Sequence, residues 1–182
     1  SGSADRALGT LASGSGIYAI GVLITNNTGG LLNRFTISFT AEQWRKGGST
    51  NKNNWNFRYK TGNLMNMDQT DLLNNANFNF SSVINTSQAS GLNGNLSENQ
   101  LSISYSIDSV SWQPGEQLLL RWDDADETGN DDASGIDNFQ FSATLASAKP
   151  SVVTGSVSNI TANTALLNGT VNDNYATTSI AF

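Results

Sequence analysis

The sequence predicts an all-β protein, an antiparallel β-sandwich in jelly-roll form followed by part of a second β module. Three observations carry this. Apolar residues come in short, evenly spaced runs that alternate with Ser, Thr and Asn, the period of a half-buried strand. Runs are separated by Gly/Asn/Pro turn signals such as Asn27-Thr28-Gly29-Gly30 and Pro114-Gly115. Helical periodicity is missing throughout. Many short strands with such turns imply two sheets packed face to face.

Taken in order, Ile17 to Asn26 is an apolar run closed by a turn. Phe35, Ile37 and Phe39 alternate with Thr36, Ser38 and Thr40, and Trp55, Phe57 and Tyr59 with Asn56, Arg58 and Lys60. Between Thr61 and Asn99 the pattern weakens: Phe78 and Phe80 predict one short strand, and Met65 to Leu73 a loop or a single helical turn. Leu101, Ile103, Tyr105 and Ile107 alternate with serines. Gln113 to Glu116 is a turn, and Leu118 to Trp122 the next strand. Phe139, Phe141, Ala143 and Leu145 share one face of the last strand. Trp55 and Trp122, in phase with apolar neighbours, are expected in the core. The domains expected are 1–146, a linker over 147–150, and 151–182, in which Val152-Val153, Ala165–Val171 and Ser179–Phe182 read as strands.

Composition removes several function classes. Histidine and cysteine are both absent from the 182 residues. That excludes His-dependent triads, the usual zinc sites and disulfide staples. The acidic balance, nine bases against 15 acids, argues against nucleic acid as a partner. No apolar run is long enough for a membrane span. No signal peptide is visible, and Ser1-Gly2-Ser3 reads as the start of a mature fragment.

Charge is concentrated in one place. Asp123, Asp124, Asp126, Glu127, Asp131, Asp132 and Asp137 lie between Trp122 and Phe139 with no Lys or Arg among them, and the other eight acids are matched by nine bases. The net charge of −6 therefore belongs to one loop. Two readings stay open: a hydrated turn whose aspartates cap backbone N–H groups, or a hard-cation site for a structural Ca²⁺ using Asp123, Asp126, Asp131, Asp132 and Asp137. An EF-hand is rejected, because the twelfth loop position is Gly135 and no flanking helices are expected. Asp137 has the strand parity of Phe139 and Phe141, so its carboxylate is expected on the core side. There it needs a cation or a salt bridge to Arg121 or Arg45.

Glu42 and Trp44 share the outer face of the Phe35 strand with Thr40. A Trp beside polar side chains is how a surface stacks a sugar ring and binds its hydroxyls, so Glu42, Trp44 and Arg45 are the candidate ligand residues. The alternative is a loop that covers Trp44, or a register change at a bulge.

Residues 5–145 resemble a recurrent β-sandwich (jelly-roll-like) domain of large secreted or cell-surface Bacteroidetes-type proteins. The matching pieces are Asp5–Gly9, Asn26–Gly29, Phe35–Arg45, Pro114–Glu116, Leu120–Asp123, Gly129–Asp131 and Ile136–Phe139. The ending Ile136-Asp137-Asn138-Phe139 is also similar to the last strand of MAM and carbohydrate-binding modules, which implies a carboxylate serving a structural cation. Thr161–Val171 resembles the opening strands of bacterial fibronectin type III modules. A module of that kind needs about 100 residues, so 151–182 is expected to be an incomplete one.

The resemblance implies an extracellular setting beside enzymes or other modules of the same chain. It supplies no catalytic residue. The expected function is a non-catalytic accessory module for adhesion or glycan binding at a cell surface. The rivals are a structural spacer, and a glycoside hydrolase using Glu42, Glu98 or Glu116.

Overall fold

A computed structural model describes residues 5–12, 14, 16–174 and 178–180. Twelve strands are formed among them: β1 (Leu8–Thr10), β2 (Tyr18–Thr25), β3 (Leu32–Lys46), β4 (Asn54–Gly62), β5 (Leu73–Asn74), β6 (Phe80–Ser81), β7 (Ser90–Gly91), β8 (Gln100–Trp112), β9 (Gln117–Asp124), β10 (Ala133–Leu145), β11 (Ser151–Thr154) and β12 (Gly169–Asn172). The helical residues are two single 3₁₀ turns, Ala76–Phe78 and Ser97–Asn99.

The chain divides into Ser1–Thr144 and Leu145–Phe182. In the first unit one sheet runs β1-β10-β3, with β8 pairing β3 along Leu32–Glu42 and β7 pairing it at Arg45–Lys46. The other runs β2-β9-β4, with β5 and β6 on β4. Neighbours that are distant in sequence, such as β1 with β10 and β2 with β9, are antiparallel. This is the strand order of a jelly roll. In the second unit β11 pairs with β12, and a further bridge joins Ser158 to Leu166. The strand expected at Ser179–Phe182 lies partly outside the described residues.

Alternation explains the core. Phe35, Ile37, Phe39 and Ala41 of β3 face Trp55 and Phe57 of β4 and Leu118, Leu120 and Trp122 of β9, all buried. Aromatic rings interlock in the core: Phe39 meets Trp122 of the facing sheet edge-on at 5.3 Å, and within the β2-β9-β4 sheet Trp55 stacks on Phe80 at 5.0 Å and Phe57 lies 4.9 Å from Trp122. Such pairs contribute about 0.5–1.5 kcal/mol each beyond their burial, a useful reserve for a fold without disulfides. Leu119 points the other way yet is also fully buried. The 63–72 segment accounts for this by lying over that outer face. Arg121 donates to the carbonyls of Met67 (2.6 Å) and Gln69 (2.9 Å), and Met67 packs on Gly21.

Two bulges reset the alternation. Asn138 has φ 51° and Ser109 φ 60°, turns within a strand that rotate the residues beyond them; beside Ser109 the register slips, Asp108 facing Arg34 and Trp112 facing Leu32. On β10, Ile136 and Phe139 therefore line the same apolar cavity with Trp122. Beyond Ser109 on β8, the same shift brings Trp112 into the core, 1% exposed.

Candidate functional site

The outer face of the β1-β10-β3 sheet carries a depression of about 330 Å³. Its floor is made of small residues, Ala7, Gly9, Ala133, Ser134 and Gly135, and Trp44 forms one wall. Gly9 and Gly135 are directly opposed across the β1–β10 ladder. A Cβ on Gly135 would come within 2.9 Å of the Ala7 side chain, so the floor stays bare backbone. Strand alternation singles out Trp44 but not this glycine pair, whose role appears only once β1 is placed beside β10.

Trp44 is clamped rather than free. Its Nε1 donates to Glu42 Oε2 at 3.1 Å, and its carbonyl accepts from Leu92 N at 2.8 Å. Gly94 lies against the indole so closely that an added Cβ would overlap the ring. A loop thus covers one side of Trp44 while another borders the depression, so the exposed and the covered readings of this residue each hold in part. Beneath it Glu42 is 2% exposed. Gln100 Nε2 donates to Glu42 Oε1 at 3.0 Å, so both carboxylate oxygens are engaged. Burial pushes the Glu42 pKa above its ordinary value, and the nearby charge of Asp137 adds to the rise, against the hydrogen bonds from Trp44 and Gln100.

Arg45 does not join this pair. One residue further along β3, it points to the opposite face and donates to the backbone carbonyl of Asp131. Asp137 is likewise placed differently from the expectation. The bulge at Asn138 separates its parity from that of Phe139, and its carboxylate lies near Glu42 on the outer face. Arg121 instead pairs with Asp123, Nε to Oδ1 at 2.7 Å, and Arg58 Nε reaches Asp123 Oδ2, also at 2.7 Å.

The five expected cation ligands therefore do not form one set. Asp123 lies outside the β2-β9-β4 sheet between two guanidinium groups, and Asp137 outside the other sheet. Asp126, Asp131 and Asp132 remain together in the β9–β10 loop. Asn53 organises that loop: its Nδ2 donates to Asp131 Oδ1 at 2.6 Å, and its Oδ1 accepts from Asp132 N at 3.1 Å. Glu127 caps the start of β4 through Asn54 N at 3.1 Å. Asp132 Oδ1 accepts from Gly47 N at 2.6 Å. Asp124, missing from the expected set, is fully buried at the end of β9, its Oδ2 accepting from Ala12 N at 3.0 Å. Among the described residues, no three carboxylates converge on a cation position as they stand.

The chain matches no family model, no curated protein and no solved structure. Among the described residues, no helix is long and apolar enough to cross a membrane.

Proposed function

We propose that the chain supplies a non-catalytic accessory module to a secreted or cell-surface protein, and that its first unit binds glycan in the depression beside Trp44. The observation that carries this reading is a rigid aromatic wall, Trp44, standing over a bare glycine floor. A sugar ring offers an apolar face to stack on the indole and hydroxyls to hydrogen-bond with the bare backbone of the floor. Small floor residues leave room for the ring. The extracellular setting rests on the resemblance of residues 5–145 to secreted Bacteroidetes-type domains.

A hydrolytic role for Glu42 is disfavoured by its own contacts. Both its oxygens accept hydrogen bonds from fixed side chains, so neither is presented to a scissile bond. The test is a glycan array probed with the wild type and with Trp44→Ala, each checked for folding by circular dichroism. Binding that disappears in a folded Trp44→Ala variant is the expected result.

The spacer reading draws on the rest of this face. Thr36, Ser38 and Thr40 register against Ser106, Ser104 and Ser102, and Thr36 and Ser106 bond each other at 2.8 Å. Arg34 pairs with Asp108 at 3.3 Å. Thr36, Ser106, Arg34 and Asp108 engage one another, which suits a passive surface. A wild type that binds no glycan on the array would favour that role.

A further inference from the structure

The flanks of the two sheets are guarded unequally. β1 is a strand of three residues, β8 carries Asp108 and turns at Ser109, and β5 and β6 cover part of β4. Short length, charge, a local turn and cover are the devices that keep a sheet edge from pairing with another chain. β2 has none of them. Its residues, Tyr18 to Thr25, include no charge and no proline, and among the described residues it pairs with β9 on one side only.

The phase of this bare edge is fixed at its end. Asn26 N donates to the carbonyl of Glu116, just ahead of β9, at 2.9 Å, so the even-numbered residues of β2 turn their backbone groups toward β9. The N–H and C=O of Ala19, Gly21 and Leu23 therefore point away from the sheet, and all three residues are exposed. On this side of the sandwich β1 reaches only as far as Ile136 of β10. There the sheets part over an apolar cavity of about 200 Å³, lined by Leu8, Ile20, Val22, Trp122, Ile136 and Phe139. Val22 shares the inner face with Ile20 yet is 37% exposed, and Phe139 is 38% exposed.

We propose that two copies of the chain join edge to edge through β2, antiparallel, with Gly21 of one beside Gly21 of the other. In that register Ala19 lies opposite Leu23 of the second copy, and Ile20 opposite its Val22. An uncharged edge suits an uncharged strand, and β2 is one. The two-fold contact uses the same surface twice, so both edges gain hydrogen bonds and both apolar cavity mouths are covered. Charge selects the antiparallel direction. β2 begins beside Asp124 and ends beside Gln117, which sets the acidic β9–β10 loops of the two copies at opposite ends; a parallel pair would bring them together. This inference goes beyond the glycan reading and does not depend on it.

The experiment uses the full chain. Sedimentation velocity of the wild type from about 1 to 500 μM should show monomer passing to dimer. Leu23→Lys supplies the edge charge that β2 lacks and should weaken the dimer at least about tenfold. The sequence has no cysteine, which permits a test of register independent of that variant. Ala19→Cys mixed with Leu23→Cys should oxidise to a cross-linked dimer, because opposed residues of paired strands lie within disulfide reach. Either cysteine chain alone should cross-link at least about tenfold more slowly, since its thiols stand apart along the pair. A wild type that stays monomeric throughout leaves the edge to a strand of another protein and overturns the proposal. Cross-linking no faster in the mixture than in the single chains overturns it as well.

Discussion

Asp137 and Phe139 lie on opposite faces of one strand although a single residue separates them. The cause is Asn138, whose left-handed φ of 51° turns the strand between them. Phe139 turns inward to meet Trp122 edge-on at 6.3 Å, and Asp137 turns outward to Glu42. Asn tolerates the left-handed region better than other non-glycine residues, and a β-branched side chain does not. Asn138→Gly should therefore fold with near wild-type stability. Asn138→Val should lose about 1–3 kcal/mol, measured by urea denaturation.

Glu42 makes stability depend on pH in the direction opposite to an ordinary paired carboxylate. Its folded pKa is raised, so the folded state holds a proton more tightly than the unfolded chain. Below the unfolded value the group is neutral in both states and costs nothing. As pH rises from the unfolded value through the folded one, the native state loses stability. Glu42→Gln removes that loss. The stability of the variant relative to wild type should increase in denaturant titrations as pH rises from the unfolded carboxylate value through the raised folded one; a constant difference would contradict the assignment.

Gly94 holds Trp44 in place by yielding space to it. Gly94→Ala drives a methyl into the indole, an overpacking that costs about 1–3 kcal/mol. It should also displace the wall of the depression. Glycan affinity should fall together with stability, whereas Gly91→Ala, which meets open space, should change neither.

Arg121 fastens the 63–72 segment over the β2-β9-β4 sheet through two carbonyls and Asp123. Arg121→Met keeps the stem but removes these bonds. Charged hydrogen bonds contribute about 1.5–3 kcal/mol, so the variant should be destabilised by about that amount. Hydrogen exchange should quicken in residues 63–72 before it does in β3.

Much of the fold was legible in the sequence. The long strands announce themselves through period-2 alternation, and Trp55 and Trp122 fall in the core as their phase implies. What alternation does not reveal is a bulge. Asn138 and Ser109 look like ordinary strand residues, yet each resets the parity beyond it, which misplaces Asp137 and hides Trp112. The three-residue strand β1 carries too few residues for a period, and so the Gly9–Gly135 pair stays invisible. Charge is legible as a cluster, but not as three separate destinations. Where Asp123 and Asp137 go depends on Arg58, Arg121 and Glu42, which are brought near only by pairing between strands far apart in the chain.

A sugar bound in the depression would touch Trp44. The most direct test is an NMR titration that follows the indole Nε1–H signals of the four tryptophans as an array-selected glycan is added. The Trp44 signal should move with saturation while those of Trp55, Trp112 and Trp122, buried in the core, hold still. A glycan that binds and shifts the others while leaving Trp44 unmoved would contradict it.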